Sequence, residues 1–488
     1  MSVGGYRQQR PNMGVLRTGR PAAAVSTPSA RPPHAAGAAM PSEFLRMPLW
    51  VTLTFSGFIT LWYLQVSYRI PALGAVRFEL LVPTALAVVA LFCGQTLRSP
   101  LTPFVLFLLV CIGVQVPLSA DVSWSWTVFV DRVVKFAVVG LLIARFVTGP
   151  RELKWFLGAF LIAMLKLGQE GVAGVVTGSL MWENQGVMRL HGSTPVYQHP
   201  NSFSGMAVGI LPFVLFLWPV AARWQKAILA TLGVFAVTII VFTASRTGYV
   251  ATAGLLVFSV LRSKHKARAG AFGFVVVLAA AMLTPDQYKE RFSSIFTQEE
   301  KEGASTEARI EILRDAVQVL GAHPFGVGVG AFPVVRQRLF GRNQDTHNLY
   351  LEVATNLGIQ GFVAFALFVG AILVLTGRVS KACDRQLASL QAAFSSGTAD
   401  SGQLQADVRF IRQVARAVQA FIVARLILGI FGMDLYEIYW WFAAGLSVAL
   451  HNLAATVGRH TAALAQQVPQ PDRAVPRAGW PAFGISRT

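Results

Sequence analysis

Long apolar runs set the pattern of hydrophobic and polar positions along this chain. A helix needs about 20 predominantly apolar residues to cross a bilayer. Runs of roughly that length lie at 48–67, 78–95, 101–118, 128–147, 155–175, 203–220, 227–244, 248–262, 270–284, 358–376, 418–433 and 437–456. The pattern predicts an all-α, polytopic integral membrane protein with about twelve transmembrane helices within residues 47–465 and one large, partly helical loop at 285–347.

Basic residues in the short loops predict how these helices are oriented. Loops on the cytoplasmic side of a membrane protein are enriched in Lys and Arg. Alternate loops hold Arg98, then Arg151 and Lys154, then Arg223 and Lys226, then the run from Arg262 to Arg268, and finally the stretch from Arg378 to Arg416. The short loops between them are poorer in basic residues, with Arg69, Arg77 and Arg246 as the exceptions. The termini and the loop at 377–417 are therefore predicted to be cytoplasmic, and the segments at 177–202 and 285–347 external.

The two ends of the chain differ in composition from the apolar middle. Residues 1–46 are rich in Pro, Ala and Gly and carry six arginines against one acid, Glu43. Residues 466–488 have a similar character. Such segments bury too little apolar surface to offset the entropy of ordering, and no apolar signal-peptide core lies near the start. Both are predicted to be disordered cytoplasmic tails, the first of them uncleaved.

Composition and charge exclude several classes of protein. Hydrophobic residues make up 54% of the chain and charged residues only 13%, which is too few charges for a soluble protein of 488 residues. The formal net charge of +19 would indicate nucleic-acid binding in a soluble protein, but the cytoplasmic loops account for it here, so no nucleic-acid partner is expected. The three cysteines lack ligand spacing, and neither a disulfide framework nor a metal site is predicted.

The external loop at 285–347 carries signals for a helix. Ser305 or Thr306 can cap its start, Glu307 favours the positive end of the helix dipole, and Gly321 ends it. Leu313, Ala316, Val317 and Leu320 are predicted to form an apolar stripe with Arg309 one turn earlier, at its edge. Long loops in a polytopic membrane protein usually carry function. The cytoplasmic loop at 377–417, by contrast, has a Ser/Gly-rich centre typical of a linker between helix extensions.

His347 is the first candidate for chemistry. Asp345 or Thr346 is predicted to cap the next helix, which leaves His347 in its first turn. The positive end of a helix dipole disfavours a protonated imidazole, so the ring would be neutral and able to accept a proton, with Asp345 fixing its tautomer. From the residues alone, a helix-capping or packing role is the alternative.

Arg246 and Arg309 are candidates for holding an anion on the external side. A planar guanidinium donates two parallel hydrogen bonds to a phosphate, which suits a diphosphate substrate. Arg246 at a helix end can equally extend toward lipid phosphates, and Arg309 can be a solvated residue of an amphipathic helix. One neutral base and two arginines at a membrane surface favour transfer from a lipid-anchored diphosphate donor.

Other polar and aromatic groups leave alternatives open. The segment from His199 to Asn201 either orients substrate or caps a helix, and the charges at Lys166, Glu170 and Arg425 are either functional or structural ion pairs. The glycines at 326, 328 and 330 resemble a dinucleotide-binding fingerprint, but no βαβ unit surrounds them. They predict instead a tight turn that lets backbone approach a neighbour. Asp434 and Glu437 are candidates on the acceptor side. The aromatic residues Trp124, Trp126, Tyr439, Trp440 and Trp441 are predicted to form an interface belt rather than a platform for sugar rings.

Three short motifs in the chain resemble the O-antigen ligase and polysaccharide polymerase superfamily. They are Thr243-Ala-Ser-Arg-Thr-Gly248, then Arg309 followed by His323-Pro-Phe-Gly-Val-Gly-Val-Gly330, then His347-Asn348-x-Tyr-Leu-Glu352. The segment from Arg189 to Asn201 is also similar to an external segment of that superfamily, so that the resemblance covers roughly residues 185–365.

The resemblance implies metal-independent, inverting glycan transfer from undecaprenyl diphosphate on the periplasmic face of the bacterial inner membrane, without a cofactor. It implies that His347 is the base and that Arg246 and Arg309 hold the diphosphate. Substrate-binding roles are expected for Arg189, His199, Asn201 and Asn348. The partners implied are the lipid-linked glycan donor, an acceptor that is a glycan or lipid A core, and membrane lipids.

Two enzyme types and one transport function remain open at this stage. A ligase and a polymerase would share the base and the diphosphate clamp, so the sequence does not separate them. A flippase for the same lipid-linked glycan is the alternative from another class. Charges lining a path through both leaflets would indicate a flippase, whereas the candidate residues here collect on one side, which favours the enzyme.

Overall fold

The computed structural model describes residues 45–184, 186–263, 265–289, 305–395 and 402–466. The predicted tails at 1–46 and 466–488 lie almost entirely outside these ranges, as do the middle of the external loop and the Ser/Gly-rich centre of the cytoplasmic loop. The predictions made for those segments therefore stay predictions.

The described part of the chain is mostly helical. Its helices are α1 Leu49–Tyr63, α2 Val66–Arg69, α3 Pro71–Ala75, α4 Phe78–Phe92, α5 Thr102–Gln115, α6 Val122–Val128, α7 Lys135–Phe146, α8 Pro150–Thr177, α9 Pro200–Leu217, α10 Arg223–Phe242, α11 Arg246–Arg262, α12 Lys266–Leu283, α13 Ser305–Ala322, α14 Phe332–Phe340, α15 Leu349–Ser395, α16 Gly402–Leu428 and α17 Ile438–Gln466. A π-helix at Phe129–Val134 joins α6 to α7.

All twelve apolar runs fall on helices, and part of this set meets the length and hydropathy of a membrane span. Five described helical segments do so: Pro150–Thr177, Pro200–Val220, Arg223–Phe242, Leu349–Ala392 and Ile438–Ala463. Helices α1, α4 and α5 are apolar but shorter. The predicted helical membrane fold is confirmed at this coarser level, while the count of twelve spans stays a prediction.

The apolar residues divide between a continuous core and an outward surface. The core runs through α1, α7, α8, α9, α15, α16 and α17, and 72% of the apolar stretch of α17 is buried. Large apolar side chains also face outward, with Phe92 exposed to 85% and Leu91 to 76%. An outward apolar surface of this kind is typical of contact with lipid rather than water.

Helix α15 breaks at Gly358, where the backbone has φ 72°. The Gly-rich turn packs into this break, because the backbone N–H groups of Val327 and Gly328 donate to the carbonyls of Thr355 and Asn356. A Cβ added at Gly328 would lie 2.1 Å from a serine hydroxyl. The predicted tight turn that lets backbone approach a neighbour is therefore confirmed, and it anchors the start of α15.

A short β-hairpin interrupts the helical fold and was not expected in an all-α chain. Strands β1 Met181–Asn184 and β2 Val187–Leu190 pair antiparallel, with Trp182 opposite Arg189. Gly186 adopts φ 69° in the connecting turn, a conformation that glycine adopts readily. The hairpin carries Arg189 to the site described below.

The external loop forms its own small core, in which the predicted stripe was one position off. The buried residues of α13 are Ile312, Asp315, Ala316 and Val319, whereas Leu313 and Val317 are exposed. Ala316 and Val319 cluster with Phe332 and Val335 of α14. Arg309 precedes Ile312 by three residues, so it lies at the start of the buried face of α13. The prediction had placed it at the edge of the stripe that begins at Leu313, a residue that is exposed.

The predicted aromatic interface belt is wrong for three of its five residues. Trp124 and Trp126 are exposed to 52% and 59%, but Tyr439, Trp440 and Trp441 are buried. Three consecutive residues on a helix point in directions about 100° apart, and α17 is enclosed by the other core helices, so none of the three reaches lipid.

The charges within the helices, for which a functional or a structural role was left open, all make ion pairs, as the structural alternative expects. Glu170 accepts two hydrogen bonds from Arg69 at 2.9 and 2.8 Å and also pairs with Lys166 at 3.2 Å. Arg425 lies 3.5 Å from Asp434. The Lys166–Glu170 pair lies within α8, whereas Arg69–Glu170 and Arg425–Asp434 join separate segments of the chain.

Candidate functional site

One cavity of about 1030 Å³ brings most of the candidate residues together. Its walls come from α6, the π-helix, β2, the starts of α9 and α11, α13, the loop before α15 and the α16–α17 turn. The predicted site residues that line it are Arg189, His199, Asn201, Arg246, Arg309 and His347. Asn348 is the one member of the predicted set that is not among the lining residues.

The start of α11 places Arg246 at the cavity wall. Ala244 has φ 48° and is fully buried, a conformation that residues other than glycine rarely adopt and that stores strain. After this turn, the Ser245 side chain caps the helix by accepting from the N–H of Gly248 at 3.2 Å. A Cβ at Gly248 would lie 2.0 Å from the Ser204 hydroxyl, so glycine is required for α11 to pack on α9. Arg246 is the first residue of this helix.

Arg189 connects the hairpin to the two neighbouring helices. It is 3% exposed, and its Nε donates to the carbonyl of Thr243 at 2.8 Å. One terminal nitrogen donates to Oδ1 of Asn201 at 2.9 Å. Arg189 therefore fixes the turn before Arg246 relative to the start of α9, and its guanidinium adds positive charge to the cavity wall.

His199 caps α9 and also lines the cavity. Its Nδ1 accepts from the backbone N–H of Asn201 at 3.1 Å, so in the neutral ring Nε2 carries the proton. Burial, and then the positive charge of Arg189, lower the pKa of His199. The capping alternative is thus confirmed for this residue, while its contact with substrate stays a prediction.

His347 lies in the turn before α15 and not in the first turn of that helix. The cap is Asn348, whose Oδ1 accepts from the N–H of Leu351 at 3.0 Å, so the predicted cap at Asp345 or Thr346 was wrong. The side-chain Nδ2 of Asn348 donates to the carbonyl of Ile430 at 2.9 Å. Its expected contact with substrate stays a prediction, and the geometry gives it the role of holding this turn.

The backbone of His347 is strained. It has φ 48°, and among the described residues only three others that are not glycine share a positive φ. Ala244, which precedes Arg246, is one of them. Strained conformations of this kind cluster at functional sites, where the surrounding structure holds them in place. Two of the four lie at one cavity.

Burial and nearby positive charge lower the pKa of His347 and so favour its neutral form. The largest effect is burial, which lowers its pKa below the ordinary value of 6.5, and Arg309 and Arg336 lower it further. Asp345 acts in the opposite direction and raises it. Burial raises the pKa of Asp345. The predicted direction, toward a neutral imidazole, is supported. The main cause is desolvation and not the helix dipole, because His347 precedes α15.

A buried ion-pair cluster under the cavity was missed by sequence reasoning. Arg336 of α14 donates from Nε to Oδ2 of Asp315 on α13 at 2.8 Å, and the two side chains are 1% and 7% exposed. A terminal nitrogen of Arg336 also lies 3.3 Å from Oε1 of Gln344. The cluster therefore holds α13, which carries Arg309, against the segment that leads to His347.

Carboxylates and arginines form the opposite wall. Glu437 pairs with Arg132 of the π-helix, and burial raises the pKa of Glu437 to about 6. Burial also raises the pKa of Asp434. The guanidinium of Arg425 lies 3.2 Å from the centre of the Tyr439 ring and donates to the carbonyl of Gly205 at 3.0 Å. This wall carries both signs of charge and is held together by contacts between its members.

Glu352 is a further lining residue to which the sequence reasoning gave no role. It lies one turn into α15, is 4% exposed, and accepts from the backbone N–H of Leu435 at 3.1 Å. It ties the start of α15 to the α16–α17 turn. Its position in the motif after His347 was the only signal in the sequence.

Comparison with known proteins agrees with the motifs. No match was found among curated proteins. The family model described as O-Antigen ligase matches residues 231–366, a stretch that runs from α10 into α15 and contains Arg246, Arg309 and His347. These residues line one cavity in a helical membrane fold, and over this stretch the chain is similar to the O-antigen ligase family that its motifs resemble.

Proposed function

We propose that this protein is an integral membrane glycosyltransferase that moves a glycan from undecaprenyl diphosphate to an acceptor hydroxyl on the periplasmic face of the bacterial inner membrane. The observation that carries the proposal is that Arg246, Arg309 and His347 line the same cavity, although they lie on three separate elements. The family match supports an O-antigen ligase or polymerase type of enzyme.

Arg246 and Arg309 hold the diphosphate of the donor in this proposal. Arg246 starts α11, where the positive end of the helix dipole also favours an anion. Arg309 faces inward from α13. Positive charge at these positions stabilises the negative charge that develops on the leaving oxygen as the glycosidic bond breaks. Arg189 supplies further positive charge and positions Asn201.

His347 is the general base in the proposed reaction. Its neutral ring accepts the proton of the acceptor hydroxyl, whose oxygen forms a bond to the anomeric carbon from the side opposite to the diphosphate. The bond from that carbon to the diphosphate oxygen breaks, and undecaprenyl diphosphate leaves with the electron pair. The anomeric configuration inverts, and His347 later releases its proton. The step requires neither a metal nor a cofactor.

The proposed topology has about twelve spans, with both termini cytoplasmic and the cavity periplasmic. The O-antigen ligase-like membrane domain is residues 47–465, the catalytic loop is 285–347, and the loop at 377–417 and both tails are cytoplasmic. Cysteines placed at residue 305 and at residue 395 should label from opposite sides of the membrane, 305 from outside. Labelling of both from one side would contradict this placement.

The acceptor decides between two versions of the enzyme. A ligase uses lipid A core, and a polymerase uses a second lipid-linked glycan. Deletion of the gene distinguishes them, because free unattached glycan indicates a ligase and single repeats indicate a polymerase. The donor and acceptor of either version are anchored among membrane lipids.

The proposal is tested with the purified full-length chain in lipid nanodiscs. Undecaprenyl-diphosphate-linked glycan and acceptor are added with EDTA, and the products are free undecaprenyl diphosphate and an inverted glycoside. The same protein is also reconstituted in liposomes, where transfer of intact donor from one leaflet to the other can be measured. Such movement without glycoside formation would overturn the proposal in favour of a transporter. Loss of transfer in EDTA, restored by a divalent cation, would overturn the metal-independent step.

A further inference from the structure

One wall of the cavity has features that the diphosphate clamp and the base do not use. Residues Trp124, Thr127, Val128, Asp131 and Arg132 all line the cavity. They recur at intervals of three and four along α6 and the π-helix that continues it. One side of a single helical segment therefore faces the cavity.

Trp124 is held with its ring at the cavity surface. It is 52% exposed, yet its indole N–H donates to the carbonyl of Gly330 at 3.0 Å. Gly330 has φ 64°, and a Cβ there would lie 3.2 Å from Nε1 of Trp124. The hydroxyl of Ser125 donates to the carbonyl of Val329 at 2.7 Å. The ring is thus fixed against the Gly-rich turn before any ligand binds.

The π-helix brings a carboxylate to the same wall. Single π-helical turns within α-helices are rare and occur often at functional sites. Here the wider turn at Phe129–Val134 leaves both Asp131 and Arg132 at the cavity. Arg132 pairs with Glu437. Asp131 makes no ion pair or side-chain hydrogen bond with any residue that the structure describes, so both of its oxygens remain available to a ligand.

We propose that Trp124 and Asp131 form a carbohydrate subsite that takes one pyranose ring of the transferred or accepting glycan. The face of an indole ring is electron-rich and attracts the C–H edge of an apolar sugar face, while a carboxylate accepts hydrogen bonds from two neighbouring hydroxyls. A fixed aromatic ring binds at a low cost in conformational entropy. This inference rests on the proposed function and deepens it.

Trp126 shows why an interface belt does not account for Trp124. It lies on the same helix, two residues away, and is exposed to 59%. It does not line the cavity, and its neighbour is the Phe129 ring at 6.2 Å. A belt residue needs only exposure. Trp124 has, in addition, a fixed ring and a position inside the cavity, which makes Trp126 a matched control.

The test measures lipid binding by the full-length protein in nanodiscs, and it does not depend on transfer activity. The probes are undecaprenyl diphosphate and the same lipid carrying one glycan repeat. We expect Trp124→Ala to weaken binding of the glycan-bearing probe about tenfold, the effect of truncating one central aromatic contact, and to leave binding of the bare lipid unchanged. Trp124→Phe should lose less, and Trp126→Ala should change neither.

Transfer kinetics then identify the source of the sugar. If the ring belongs to the donor, Trp124→Ala weakens the glycan-bearing probe as stated. If it belongs to the acceptor, donor binding is unchanged and the KM for acceptor rises about tenfold at constant kcat. Asp131→Asn should produce the same pattern as Trp124→Ala in a milder form. Equal effects of Trp124→Ala and Trp126→Ala, or no change in any of these quantities, would overturn the subsite. A parent protein that binds the probes but never transfers would refute the proposed function instead.

Discussion

Removal of the Asp315 carboxylate should uncouple the external loop from the cavity. Asp315→Ala leaves the Arg336 guanidinium buried, with its side chain 1% exposed and with the Gln344 amide oxygen at 3.3 Å as its other acceptor. Loss of one partner of a buried ion pair costs about 3–5 kcal/mol, because the remaining charge is neither solvated nor paired.

Glu311→Ala is the matched control for this variant. Glu311 is on the same helix and pairs with Arg342 at 2.8 Å, but the two side chains are 48% and 43% exposed. An exposed pair contributes roughly 0–1 kcal/mol. Asp315 also lies 3.2 Å from Arg342, so each variant removes one carboxylate of α13 from that half-exposed arginine. Only Asp315→Ala also leaves the buried Arg336 charge without its carboxylate.

Hydrogen exchange of the α13 and α14 amides measures the free energy of local opening in both variants. We expect that free energy to fall by about 3–5 kcal/mol in Asp315→Ala and by less than about 1 kcal/mol in Glu311→Ala. Glycan transfer should be lost only in the former, because α13 carries Arg309. Similar losses in the two variants would refute the argument from burial.

Two further predictions concern the site itself. A general base must be deprotonated, and the pKa of His347 is lowered from 6.5, so kcat/KM should fall on acidification with a midpoint below 6.5. Asp345→Asn removes a charge that raises this pKa, so the midpoint should move to lower pH in that variant. A shift of the midpoint to higher pH would contradict the account. Arg246→Lys and Arg309→Lys should each reduce single-turnover transfer strongly, because lysine lacks the bidentate fork of a guanidinium. Arg314→Lys, on the exposed face of α13, should not reduce it. Transfer near the parent rate in both of the first two variants would refute the clamp.

The sequence predicted what depends on local composition. The membrane helices follow from the length of the apolar runs, because the bilayer fixes that length, and the Gly-rich turn follows from three glycines with spacing of two. The meeting of Arg246, Arg309 and His347 at one cavity was expected only from the family motifs. No local pattern specifies which distant segments approach each other in space.

Other features depended on tertiary packing and were missed for that reason. The Arg336–Asp315 pair joins two elements of an external loop that contains a small core, and a charge inside such a core has no sequence pattern of its own. The inward face of α13 was misplaced by one residue because Leu313 and Val317 are apolar yet exposed. The burial of Trp440 depends on the enclosure of α17 by other helices, which composition alone does not reveal.

The central claim is that a neutral imidazole at this cavity removes the proton of the acceptor hydroxyl. Single-turnover transfer by purified His347→Ala, with lipid-linked donor prebound, tests it most directly. His323→Ala is the control, since this histidine belongs to the same loop but does not line the cavity. The account predicts a loss of about 10²–10⁴-fold in His347→Ala with donor binding retained, and near-parent transfer in His323→Ala. Transfer by His347→Ala at close to the parent rate would contradict it.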